Sequence, residues 1–135
     1  ILEISKLLKE DKKKFIVFLN DVDGNFDGAF SDLDRYVYKY KKLPQGNDLK
    51  FLKNKFFNES MLYDKENIEK IIHILKKNNI SYITRKDIYC NHILKECELL
   101  TTENKKIYKD SQHLTKKGAE FFSSNISILL NSYYD

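Results

Sequence analysis

No apolar run in these 135 residues approaches the ~20 needed to cross a bilayer, so no membrane-spanning helix is expected. There is no leader of a charged stretch followed by an apolar one. The chain begins at Ile1 rather than Met, so we read it as a piece of a longer polypeptide. Arginine is scarce: only Arg35 and Arg85 stand among 24 basic residues. Base recognition favours the Arg fork, so a net charge of +4 carried by Lys predicts no nucleic-acid partner. The abundance of Lys, Asn and Ile reads instead as the mark of an AT-rich genome. Cysteine is limited to Cys90 and Cys97. With His92 and His113 they include zinc-ligand types, but the paired C-x-x-C spacing is missing and no zinc site is expected. Two reduced thiols in a cytosolic protein and one disulfide in an exported protein both fit that pair. Internal repeats, low-complexity tracts and a second domain are absent as well.

What is present suits a single folded domain. Hydrophobic residues make up 41% and charged residues 33%, ordinary for a globular chain. A domain near this size buries ~68% of its unfolded surface. Ile1, Ile4, Leu7 and Leu8 recur at helical spacing. Phe15 to Leu19 is continuously apolar and predicts a strand buried on both faces. The stretch from Asn20 to Gly28, dense in Asp, Asn and Gly, predicts a loop at that strand's end. Helices are expected over 32–42, 48–57 and 65–77, with a turn at 43–46. The last helix has Asp64 as N-cap, an apolar face of Ile68, Ile71, Ile72 and Leu75, and a stop at Asn78-Asn79. His73 falls opposite that face and is expected in solvent. Ile80 to Thr84 is the next strand, and 105–108 a short extended stretch. Thr115 then caps a final helix with Ala119, Phe122, Ile126, Leu129 and Tyr133 on one stripe. Helices alternating with buried strands predict an α/β fold with a parallel sheet covered by helices.

The chemistry concentrates in Tyr108-Lys109-Asp110-Ser111-Gln112-His113-Leu114-Thr115-Lys116-Lys117-Gly118-Ala119. A carboxylate beside an imidazole fixes its tautomer and stabilises its protonated form, which makes the imidazole a general base. Sites of parallel α/β sheets lie beyond the C-terminal ends of strands, where Asp110 and His113 fall if Ile80–Thr84 is the neighbouring strand.

This run resembles the last signature block of the SGNH hydrolase/acyltransferase family. It is most similar to the version fused to acyltransferase-3-type membrane proteins, Tyr-x-Asp-x-x-His-Leu-Ser-x-x-Gly-Ala, with Thr115 here in place of the Ser. The Lys-rich helix end running into Phe15–Leu19, and Cys90 and Cys97 behind a short strand, fit the same family. The resemblance implies a partial three-layer SGNH (flavodoxin-like) fold with its N-terminal strands missing. It implies His113 as base, Asp110 as its orienter, a Cys90–Cys97 disulfide and no cofactor. The partners it implies are a polysaccharide acceptor and an acyl donor delivered by a fused membrane domain, at the periplasmic or extracytoplasmic face of a bacterial membrane. The family's nucleophile sits in a Gly-Asp-Ser turn, and none of the nine serines here has that context. Asn20, in Phe18-Leu19-Asn20-Asp21, resembles the family's Gly-x-Asn-Asp block with Phe18 replacing the Gly. The piece is therefore expected to be inactive alone.

A second pattern lies at Asp23 to Asp34. Asp23, Asn25, Asp27, Ser31 and Asp34 place oxygens at positions one, three, five, nine and twelve of a calcium loop, with Gly28 at six. The competing expectations are a non-enzymatic calcium-binding interaction module and a solvated acidic turn entering a helix.

Overall fold

The computed structural model of the chain describes residues 1–10, 14–19, 27–60, 65–109 and 113–134. In chain order the elements are α1 (Leu2–Glu10), β1 (Ile16–Leu19), α2 (Asp27–Tyr40), α3 (Gly46–Ser60), α4 (Lys65–Lys77), β2 (Ser81–Thr84), α5 (Arg85–Tyr89), β3 (Cys90–Asn91), β4 (Glu96–Cys97) and α6 (Lys116–Tyr134). The fold is mixed α/β.

Strands β1 and β2 pair in parallel, Ile16 opposite Ser81 and Leu19 opposite Thr84. Alternation along a strand sends successive side chains to opposite faces, and two hydrophobic clusters result. Ile16 and Ile83 join Leu33, Phe56, Leu99, Ile107 and Tyr108 on one side. Val17, Leu19, Ile80 and Tyr82 pack with Ile72 and Leu75 of α4 on the other. Helix α6 approaches the first side, where Phe122 meets Phe18 edge-on at 6.0 Å between ring centres. The expectation that β1 is buried on both faces is corrected here: Phe18 is 45% exposed. Among the described residues β1 pairs with β2 alone, and a two-stranded sheet is too narrow to enclose it.

Helix α4 ends as its sequence predicts, through a defined cap. Asn79 takes the left-handed conformation at φ 52°. Its N–H donates to Lys76 O at 3.1 Å, and the Ile80 N–H donates to Leu75 O at 2.9 Å. These are the two bonds of a Schellman cap, and the accompanying Leu75–Ile80 contact buries both residues. Asp64, the expected N-cap, lies outside the described residues.

Three features depart from expectation. Helix α2 begins at Asp27 and α3 at Gly46, each earlier than the periodicity indicated. Residues 105–108 form isolated bridges to Leu100 and Leu114 rather than an extended stretch. Residues 85–97, for which the periodicity gives no expectation, form a short helix and a hairpin with two-residue strands.

Helices α2 and α3 are joined by polar contacts on their outer surface. Lys55 of α3 bonds Asp32 of α2. The Tyr36 hydroxyl donates to Asp48 Oδ2 at 2.6 Å. That bond to a carboxylate, with a smaller contribution from burial, pushes the Tyr36 pKa up to about 12. The bond's contribution to stability is present below the ordinary tyrosine range and is lost as pH rises through about 12. In a ring-carbon NMR titration, Tyr36 should ionise near 12, and Asp48→Asn should return it toward the ordinary value near 10.

Cys90 and Cys97 form a disulfide that closes the β3–β4 hairpin. Chain-entropy estimates for so short a loop give about 2–3 kcal/mol. Reduction should therefore lower urea-unfolding stability by that amount, and unchanged stability would mean the reduced hairpin keeps its shape through other contacts.

Candidate functional site

The described residues of the run from Tyr108 to Gly118 form a frame. Its base is the Tyr108–Leu114 antiparallel bridge, closed by the Lys109 N–H donating to His113 O at 2.8 Å. Tyr108 is the anchor. Its ring is 2% exposed and stands edge-on to Phe56 at 5.8 Å and to Tyr89 at 5.7 Å. Burial raises the Tyr108 pKa, opposed by the Arg85 guanidinium and, to a smaller degree, by the neighbouring Tyr89 hydroxyl.

The other end of the frame is the start of α6. Thr115 caps it as expected: the Gly118 N–H donates to Thr115 Oγ1 at 2.9 Å, and the Ala119 N–H to Thr115 O at 2.8 Å. The Thr115 hydroxyl donates to Lys106 O at 2.6 Å, while the Thr115 N–H donates to Ile107 O at 2.9 Å. The Thr115 hydroxyl is thus used twice, as acceptor for the helix cap and as donor to the preceding segment. Gly118 lies against the Ile107 backbone so closely that a Cβ would fall 1.7 Å from the Ile107 oxygen. Tyr108, Leu114, Thr115 and Gly118 are thus structural members of the run, whereas His113 is exposed.

The frame sits at the C-terminal end of β2. Thr84, the last residue of β2, caps α5 through a reciprocal box: the Asp87 N–H donates to Thr84 Oγ1 at 3.2 Å, and the Thr84 N–H to Asp87 Oδ2 at 2.8 Å. The next residue, Arg85, places its guanidinium 5.8 Å from the Tyr108 ring centre. Asp110, with Ser111 and Gln112, lies outside the described residues, as do Asn20, Asp23 and Asn25.

The calcium-loop pattern meets a helix. Positions five to twelve, Asp27 to Asp34, belong to α2. Asp34 is engaged elsewhere, with Lys106 Nζ 2.7 Å from both carboxylate oxygens. The disulfide takes up both thiols of the zinc-type set, and no metal-holding group of His, Cys, Asp and Glu occurs among the described residues.

One pair was missed by the sequence reading. His92 lies with Nε2 3.8 Å from Asp87 Oδ1 and its ring edge-on to Phe57 at 5.8 Å. The signal was there in Thr84-x-x-Asp87, a helix-start pattern that would have placed α5 and turned Asp87 back toward β2. No family model, curated protein or solved structure matches the chain.

Proposed function

We propose that the chain is the His–Asp half of an SGNH-type O-acyltransferase domain acting on bacterial surface polysaccharide. The observation that carries this reading is the Tyr108–Gly118 frame. Tyr108, Leu114, Thr115 and Gly118 have packing or capping roles there and flank the exposed His113, with Tyr108 beside Arg85, the residue that follows β2.

In this reading His113 takes the proton from a serine hydroxyl as it attacks the acyl carbonyl, and returns it to the leaving group. In the second half-reaction His113 takes the proton of a sugar hydroxyl, whose oxygen attacks the acyl carbonyl; the serine O–acyl bond breaks and His113 returns the proton to the serine oxygen. Water in place of the sugar would make the same site an esterase. Asp110 orients the imidazole and stabilises its charged form. The serine comes from a Gly-Asp-Ser turn outside these residues, and the acyl group from a membrane domain of the same polypeptide. The Cys90–Cys97 disulfide supports an oxidising, extracytoplasmic location.

The test has two arms. Acetyl-ester hydrolysis by the 135-residue chain should not exceed background. In the intact polypeptide, acetyl transfer should depend on His113 and on a serine upstream of Ile1. An open reading frame with no such turn upstream, or His113-dependent hydrolysis by the short chain, would end this reading.

A further inference from the structure

The β3–β4 hairpin turns through residues 92–95, and Ile93 and Leu94 form its apex. They are 92% and 61% exposed. A single exposed aliphatic side chain is ordinary. Two adjacent ones at the tip of a hairpin closed by the Cys90–Cys97 disulfide make an apolar wedge held in one shape. We propose that this wedge inserts into the surface of a phospholipid bilayer, with Lys95 and Lys50 against the lipid phosphates.

The hydrogen bonds of the tip suit it to hydrocarbon. The Ile93 and Leu94 N–H groups both donate to Asn91 Oδ1, at 3.0 and 2.9 Å. The Lys95 carbonyl accepts from Asn54 Nδ2 of α3 at 2.7 Å. A backbone group taken into lipid loses its water and finds nothing in exchange, and these three already have partners inside the domain. A peptide strand that binds by main-chain hydrogen bonds would find the same groups taken. The disulfide also fixes the loop in advance, so docking orders little that was free.

Charge selects a phosphate-bearing surface. Lys95 is exposed beside the apex. Lys50, also exposed, stands one helical turn before Asn54 on the same face of α3. Of the carboxylates nearby, Glu98 is held by Lys53 at 2.7 Å, and Glu96 lies at the base of the loop, opposite Asn91. A lysine stem can lie along the apolar tip while its ammonium reaches the headgroup. A second copy set tip to tip would instead bring the lysines together, like charge against like. The proposal rests on the hairpin and is independent of the chemistry assigned to His113.

The test is sedimentation of the 135-residue chain with two kinds of vesicle, phosphatidylcholine alone and phosphatidylcholine with phosphatidylglycerol in equal parts. The chain should bind both, and the second more tightly. Ile93→Asn and Leu94→Asn should each weaken binding about tenfold or more, the transfer value of one aliphatic side chain. Lys95→Gln should cost about fivefold on the phosphatidylglycerol vesicles and little on phosphatidylcholine alone. Ile128→Asn, at a position 67% exposed on α6, should change nothing. No binding at ~10 mM lipid would overturn the proposal. Binding that survives both tip substitutions would overturn it too, and would point to the exposed Ile4 and Leu7 of α1. Self-association without lipid that the tip substitutions abolish would also overturn it and assign the tip to a second copy.

Discussion

His113→Ala in the intact polypeptide is expected to lower kcat for acetyl transfer by about 10⁴-fold or more, the loss seen when the base of a Ser-His-Asp site is removed. Two features make the result interpretable. His113 is exposed on a loop whose backbone is fixed elsewhere, by the Tyr108–Leu114 bridge and the Thr115 cap. Its loss should therefore change unfolding stability by no more than about 0.5 kcal/mol, the usual range for surface substitutions. The second feature is non-additivity. Members of a catalytic set act as a unit, so Asp110→Asn should be severe alone yet add almost nothing to His113→Ala. A loss below about tenfold, or a double variant in which the single losses multiply, would remove His113 from the role of base. Both readouts are kcat measurements at saturating acceptor, beside urea unfolding of the same variants.

Gly118→Ala should destabilise the domain by about 3 kcal/mol or more, the upper range for forcing extra volume into a packed site. The new Cβ would fall 1.7 Å from the Ile107 oxygen and 2.6 Å from its carbonyl carbon, and backbone cannot turn away as a side chain can. Ile107 is held at both polar groups. Its N–H donates to Leu99 O at 3.0 Å and its oxygen accepts from the Thr115 N–H at 2.9 Å, while its side chain is buried in the main cluster. Relief therefore requires α6 to move away from the strand-like segment, breaking the Thr115 cap. For a domain whose whole stability is of order 5–15 kcal/mol, the urea midpoint should fall markedly. The exposed neighbour Ala119 provides the control: Ala119→Ser, next along the helix, should change little. A Gly118→Ala variant within about 1 kcal/mol of the parent would mean that α6 is not seated against Ile107.

The periodic parts of this chain were legible before any coordinates. The α4 stripe ends where Asn78-Asn79 said it would, because Asn tolerates the left-handed cap. Thr115 caps α6 because a hydroxyl just ahead of a helical run can accept from an otherwise unpaired N–H of the first turn. The Cys90–Cys97 pairing, implied only by resemblance, is formed. What eluded the sequence was local and aperiodic. Helix α5 is five residues long, too short for a hydrophobic period, and is held by its capping box and by burial of Ile88 and Tyr89. The acidic loop read into 20–28 was too long at its end, since α2 begins at Asp27.

By itself, then, the sequence determined the longer helices and the two paired strands, where two of the helices are capped, and which twelve-residue run carries an Asp and a His three residues apart. These are matters of neighbours along the chain, and propensity, capping and periodicity act at that range. Only the tertiary structure decided what each residue of the run does. That Gly118 is required by the Ile107 backbone, that Tyr108 is buried between Phe56 and Tyr89, and that Asp87 turns to β2 and His92 depend on contacts between segments distant in sequence. Such contacts leave no period in the chain, because packing chooses partners by proximity in space.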